Sequence, residues 1–273
     1  MSPIISAIEL KSMSATDLVI ADCRYDLANT RAGREAYTAG HIPGAVYVSL
    51  DDDLCAPISA HGGRHPLITV NEMAALFGKM GIERGVTNVV AYDDEGGCYA
   101  ARLWWMLRYC GHERVRVLDG GYSAWLEEGG RSTSDVPEPS PAKFQPKVQT
   151  HMLAQMTDVR DRDTSELLVD VRAPERFTGA EEHLDIKAGH IPGAFNVPWR
   201  DFLTTDEGFV PVSRMADLLT GVDERSIVHC GSGVTGCVPL LAAEAAGLGT
   251  PRPYAGSWSD WITYPENPIE MGA

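Results

Sequence analysis

The heptapeptide AGHIPGA stands at residues 39–45 and again, unchanged, at 188–194. Seven identical residues twice in a chain of 273 mark a duplication, and other segments recur around them in the same order. Upstream, an apolar run ends in Asp-x-Arg both times, at Arg24 and at Arg172. Downstream, NVVAYD (88–93) parallels SIVHCG (226–231), and GGYSAW (120–125) parallels GSWSDW (256–261). Elements repeated once and in order predict two copies of one domain, not an array of short repeats. RSTSDVPEPSPAKFQP (131–146) is rich in Ser and Pro and has no apolar periodicity, the composition of an exposed linker. The domains are therefore placed at 1–135 and 148–273, with the linker over 136–147.

Within each half, short β-rich runs alternate with helical patterns. LVIADC, AVYVSL, NVVAYD and RVRVLD read as strands of the first half. TVNEMAALFGKMG has helical spacing, with Thr69 and Glu72 as a capping box and Gly81 as a stop, and YAARLWWMLRYCG (99–111) is a second helix. The second half repeats the alternation with SRMADLLTG and TGCVPLLAAEAAG. The fold class expected is α/β, two similar domains, each a mostly parallel sheet flanked by helices.

Composition narrows the function classes. A formal net charge of −15 disfavours nucleic acid and anionic membranes as partners. No apolar run approaches a membrane helix, and the N-terminus lacks the basic head and apolar core of a signal peptide, so a cytoplasmic location is the default. The cysteines at 23, 55, 98, 110, 230 and 237 form no C-x-x-C pair, which argues against a zinc or dithiol site and for a reduced compartment. All but Cys230 read as small buried apolar residues.

Cys230 differs because of where it falls. The strand read at Ser226–His229 runs into Cys230, Gly231, Ser232, Gly233, Val234 and Thr235, and an apolar helix follows. Sites in open α/β folds form at the carboxyl ends of strands, where a glycine-containing loop opening a helix turns several N–H groups inward. Such a cradle stabilises a thiolate and supplies a positive field without basic side chains. In the first half the counterpart of Cys230 is read as Tyr92, followed by Asp93, Asp94 and Glu95, so one copy keeps a nucleophile and the other does not. His41 and His190 are read as structural, Arg24 and Arg172 as ion-paired to the preceding Asp, and Trp104, Trp105, Trp125 and Trp261 as packing; Trp258 is the exception, placed near the expected cleft.

Both AGHIPGA segments, the Asp-x-Arg strand ends, DGGYSAW, AGSWSDW and CGSGVT together resemble the tandem-domain rhodanese family over essentially the whole chain. The resemblance implies a C-terminal catalytic domain, an N-terminal domain that shapes the cleft, and covalent catalysis without metal or organic cofactor. The Cys230 thiolate would take sulfur from thiosulfate or 3-mercaptopyruvate, hold it as a persulfide, and pass it to cyanide, a small thiol or a thioredoxin-like protein. Gly231 and Ser232 stand where thiosulfate-using members often carry basic residues, and the loop is similar to that of the mercaptopyruvate group. In that group the family's proton relay maps to Ser232, His65 and Asp51, with His61 close to His65 in sequence. Of the two arginines that would hold the substrate carboxylate, one maps to Arg176; the other falls near His183, where this chain has no arginine, Lys187 being the nearest basic residue. The two donors stay open.

Two rival functions differ in class. A cysteine phosphatase of related fold needs an arginine six residues after the cysteine, and position 236 is Gly. A persulfide carrier served by a protein donor would keep Cys230 without turning over small donors.

Overall fold

A computed structural model describes residues 2–272. The chain forms two compact units: one of 1–55, 68–150 and 204–209, the other of 56–67, 151–203 and 210–273. The repeat boundary thus leaves 56–67 with the first half, whereas by contacts this segment belongs to the second unit.

The first unit holds strands β1 (Ile4–Ile5), β2 (Leu18–Asp22), β3 (Ala45–Tyr47), β4 (Asn88–Tyr92) and β5 (Val115–Leu118). They form one sheet in the order β1-β5-β4-β2-β3, every pair parallel. Its helices are α1 (Ala7–Ser12), α2 (Ala32–Ala39), α3 (Val70–Lys79), α4 (Cys98–Tyr109) and α5 (Gly121–Glu127), with a π-helical turn at Leu50–Leu54. Helix α3 starts at Thr69, whose side chain accepts the Glu72 N–H while Glu72 reaches back, the capping box read from sequence. Helix α4 is buried from Cys98 to Leu107, Arg102 included. The segment 131–146 has no helix, yet it is no free linker. Phe144 is buried edge-on against Phe77, and the N–H groups of Ala142 and Lys147 donate to Gly78 and Cys110.

The second unit holds β6 (Leu168–Asp170), β7 (Ala194–Asn196), β8 (Ile227–His229) and β9 (Arg252–Pro253), again all parallel, in the order β7-β6-β8-β9. Its helices are α6 (Met156–Arg160), α7 (Pro174–Thr178), α8 (Val212–Leu218), α9 (Cys237–Ala245) and α10 (Ser257–Trp261). Pro239 sits in the first turn of α9, where its missing N–H costs no helical bond. No helix among the described residues is long and apolar enough to cross a membrane.

The duplicated motifs interlock in each unit. At the end of β2, Asp22 takes a two-pronged grip from Arg24, whose Nη2 also donates to the Gly40 carbonyl of the first heptapeptide at 2.7 Å. At the end of β6, Asp170 and Arg172 repeat this on Gly189 at 2.7 Å. The guanidinium then lies over the ring of Tyr122 in one unit and Trp258 in the other. His41 and His190 are buried, each bonding through Nδ1 to a helix carbonyl (Tyr37 and Phe177) and stacking on that residue's ring at 3.9 Å. Trp258 is therefore a packing residue like Trp104, Trp105, Trp125 and Trp261: it is fully buried, and its indole N–H donates to the Lys187 carbonyl.

Because the Asp170–Arg172 pair is shut off from water on both sides, removing one partner strands a buried charge. Arg172→Met should cost about 3–5 kcal/mol in urea unfolding. Arg160→Met, at an exposed pair, should leave the unfolding midpoint nearly unchanged. Equal small losses would show that the fork is not what ties the motifs together.

Candidate active site

Strand β8 is buried throughout and delivers Cys230 to its carboxyl end. Residues 230–236 then curl into the start of α9. The curl needs Gly233: its φ is +79°, and a Cβ there would stand 2.0 Å from the Ala255 carbonyl oxygen. In return the Gly233 N–H donates to Cys230 Sγ at 3.1 Å. Cys230 is only 2% exposed. Burial works against ionisation, but the Thr235 hydroxyl and the N–H groups of Ser232, Gly236 and Gly233 outweigh it and hold the thiol pKa below that of an ordinary cysteine. Val234, within the loop, is buried.

Helix α10 fixes the other side of Cys230. The Ser257 hydroxyl accepts the Cys230 N–H at 3.1 Å and lies 3.9 Å from Sγ. The N–H groups of Trp258 and Ser259 donate to the carbonyls of Cys230 and Gly231. Ser257 does this from a φ of +55°, rare for a residue with a side chain. Its repeat partner is Gly121, with φ +60°. A serine kept where the other copy uses glycine was the available signal for Ser257.

The segment 56–67 brings the remaining groups. It is pinned to α10: Gly62 N–H donates to Asp260 at 2.7 Å, Arg64 N–H to Ser259 Oγ at 3.1 Å, and the His61 ring stacks on Tyr264 while bonding to Thr263. His65 Nδ1 is thereby placed 2.8 Å from Ser232 Oγ, with both residues 8% exposed. This separates His65 from His61, which has a different partner. Asp51 belongs to the first unit, on the π-helical turn, where its carboxylate accepts the Tyr25 hydroxyl at 2.7 Å.

Arg176 reaches the loop, but not alone. Its Nε donates to both oxygens of Glu182, and its Nη2 to Asp185 at 2.9 Å. Burial opposes the charge on Glu182, but Arg176 and the N–H groups of Leu184 and Asp185 hold its pKa below the usual range. A Cβ on Gly231 would lie 3.2 Å from Arg176 Nη1 and 3.1 Å from Arg64 Nη2, so two guanidiniums converge there. Arg64 escaped the sequence reading because its place at the site depends on a long-range contact. His183 does not join them. Glu182 turns inward to cap the following N–H groups, which throws its neighbour outward, and the His183 side chain is 81% exposed beside Glu181.

The sheets also correct the counterpart of Cys230. Asp22 pairs with Tyr92, and Asp170 with His229. The N–H of Tyr122 donates to the carbonyl of Asp93, as that of Trp258 does to Cys230. Tyr92 thus matches His229, and the residue matching Cys230 is Asp93. The Asp93 carboxylate is buried and takes N–H bonds from Glu95, Gly97, Tyr99 and Ala100 at 2.8–2.9 Å. Burial pushes its pKa up to about 6 against those four donors. The cradle of the first unit is filled by its own side chain.

Comparison with known proteins agrees with the fold. The rhodanese-like domain profile matches residues 6–128 and 152–264. A Pseudomonas aeruginosa protein named "Probable 3-mercaptopyruvate sulfurtransferase" is 39% identical over 95% of this chain and 94% of its own. The thiosulfate sulfurtransferase of Mus musculus is 34% identical over 93% and 89%. The structure of 3-mercaptopyruvate sulfurtransferase from Leishmania major superposes with a TM-score of 0.85 at 28% identity, covering 95% of this chain and 74% of that one. With both of its repeats matched, the chain belongs to the rhodanese-like family, as a tandem of two such domains.

Proposed function

We propose that this chain is a sulfurtransferase that works through a persulfide on Cys230. The observation that carries the proposal is the buried Cys230 sulfur ringed by N–H and O–H donors, with the Gly233 N–H at 3.1 Å. Such a cradle holds a thiolate before the reaction and a persulfide anion after it, with no rearrangement between. In the first half-reaction Cys230 Sγ attacks the donor's transferable sulfur. The new S–S bond forms as the donor's S–S or C–S bond breaks, and the electron pair leaves with sulfite from thiosulfate or with the enolate of pyruvate from 3-mercaptopyruvate. In the second, an acceptor nucleophile (cyanide, a small thiol or the dithiol of a thioredoxin-like protein) takes the outer sulfur, and the thiolate returns.

The donor is distinguished by its leaving group. An enolate must be protonated, and sulfite need not be. The Ser232–His65 hydrogen bond at 2.8 Å supplies a proton path beside Cys230, which favours 3-mercaptopyruvate. Asp51 is assigned the orienting carboxylate of this relay on the family resemblance. A second reading, thiosulfate as donor, is favoured by the two guanidiniums at Gly231, which also suit a sulfonate.

Cys230→Ala should abolish transfer from either donor in a cyanide or dithiol assay, and retained turnover would sink the assignment. Ser232→Ala should lower kcat/KM for 3-mercaptopyruvate by roughly 10²–10⁴, the usual contribution of a positioned acid, with little change for thiosulfate. Equal losses on both donors would remove the relay. Cys230 persulfidation without turnover on either donor would make the chain a carrier.

The lowered pKa of Cys230 means that it is thiolate at pH values where an ordinary cysteine keeps its proton. Thr235→Val takes away one stabilising donor, so the pH midpoint for alkylation of Cys230 by iodoacetamide should move upward. A midpoint that stays in place would show that the backbone cradle alone holds the charge.

A further inference from the structure

We infer that Arg64 is the second guanidinium of the donor site: together with Arg176 it grips the carboxylate or sulfonate of the sulfur donor beside Cys230. This rests on the sulfurtransferase reading and deepens it.

The geometry is that of two forks facing one point. Arg64 Nη1 is bonded to one oxygen of Asp185, and Arg176 Nη2 to the other. That buried carboxylate, with a side chain 3% exposed, already bridges the pair on one edge. Nearest to where a Cβ on Gly231 would be are the remaining terminal nitrogens, Arg64 Nη2 at 3.1 Å and Arg176 Nη1 at 3.2 Å, with the Asp185-bonded Arg176 Nη2 just behind at 3.3 Å. Asp185 therefore shows how a planar anion sits across the two guanidiniums, and the Gly231 edge offers the same bridge to a second anion next to the nucleophile. A guanidinium has donors on two edges, so one edge can be held by protein while the other takes ligand.

Three observations make the position of Arg64 specific. Its backbone N–H is fixed to Ser259 Oγ on α10, the same helix that holds Cys230 and Gly231. The loop to which the family resemblance assigns a second arginine turns His183 to solvent instead. Position 231 is glycine, and a side chain there would occupy the place the anion needs.

The test reads the field at Cys230 independently of sulfur transfer. Rates of Cys230 alkylation by iodoacetate, an anion, and iodoacetamide, its neutral analogue, are measured at fixed pH and low salt for wild type, Arg64→Ala, Arg64→Lys and Gly231→Ala, beside kcat/KM for thiosulfate and 3-mercaptopyruvate. Arg64→Ala should lower the iodoacetate-to-iodoacetamide ratio by about fivefold, the effect of a unit charge about 4 Å away in water-like surroundings. Arg64→Lys should keep most of that ratio and still lose kcat/KM, because a point charge does not bridge as a fork does. Gly231→Ala should lower the ratio with both charges in place, and it serves if Arg64→Ala also loses its iodoacetamide reactivity through misfolding. An unchanged ratio in Arg64→Ala, or full kcat/KM in that variant, overturns the role of Arg64. A ratio that falls as expected in a protein that turns over neither donor upholds the anion site and overturns the sulfurtransferase reading instead.

Discussion

Each unit turns on one buried fork, the Asp-x-Arg pair at the end of β2 in the first and of β6 in the second. In the second unit Arg172 grips Asp170, holds the Gly189 carbonyl and lies over Trp258. Trp258 is the second residue of α10, and its N–H together with that of Ser259 holds the Cys230 and Gly231 carbonyls. The chain of contact from strand end to heptapeptide to Cys230 is thus continuous. Burying an ion pair costs desolvation that is offset only by good geometry and further hydrogen bonds, and the fork has both. What it contributes is the alignment of three separate stretches of sequence, which accounts for their recurrence as a set.

The two copies share this frame and part ways at one loop. In both, the central strand delivers a residue whose carbonyl is held by the helix that follows the last long motif. In the first unit that residue is Asp93, and the N–H groups close on its carboxylate. In the second it is Cys230, and they close on sulfur. The anion cradle belongs to the fold, and the occupant decides whether it is structural or chemical. A side-chain carboxylate on the first unit's own loop leaves that cradle no room for a reacting group. The neighbouring difference follows the same logic. Gly121 serves where only a turn is needed, and Ser257 takes the same left-handed backbone in order to hold the Cys230 N–H.

Much of this was legible in the sequence. The duplicated heptapeptide, the apolar strands and the Thr69–Glu72 box gave the α/β fold, and the strand-loop-helix pattern singled out Cys230. The misreadings have a common origin in pairing that local sequence does not carry. NVVAYD and SIVHCG align by their apolar runs, but the sheet register sets Tyr92 opposite Asp22 and His229 opposite Asp170, one residue off. His183 follows from family spacing, and it is Glu182, capping its own loop, that turns it outward. The linker composition hid one aromatic, Phe144, which was enough to dock it. Arg64 lies in the other half of the repeat from Cys230, and nothing in its neighbours announces that Ser259 and Asp260 will receive the loop that carries it.

The electrostatics of the site explain why the loop itself carries no cation. The chain has a net charge of −15, and near Gly231 the two guanidiniums of Arg64 and Arg176 are matched by Glu182 and Asp185. A site with no net formal charge attracts an anion only through direction: carboxylates bind one edge of each fork, and N–H groups point from the other. A basic side chain at position 231 would stand where those nitrogens converge, since even a Cβ there comes within 3.1 Å of Arg64. Loop cation and arginine pair are therefore alternatives. Having the pair, the loop is free to place glycine at 231 and, at 232, a serine within hydrogen-bond reach of His65. On the proposed reading, the residues beside Cys230 handle protons, while the charge that meets the substrate comes from elements outside the loop.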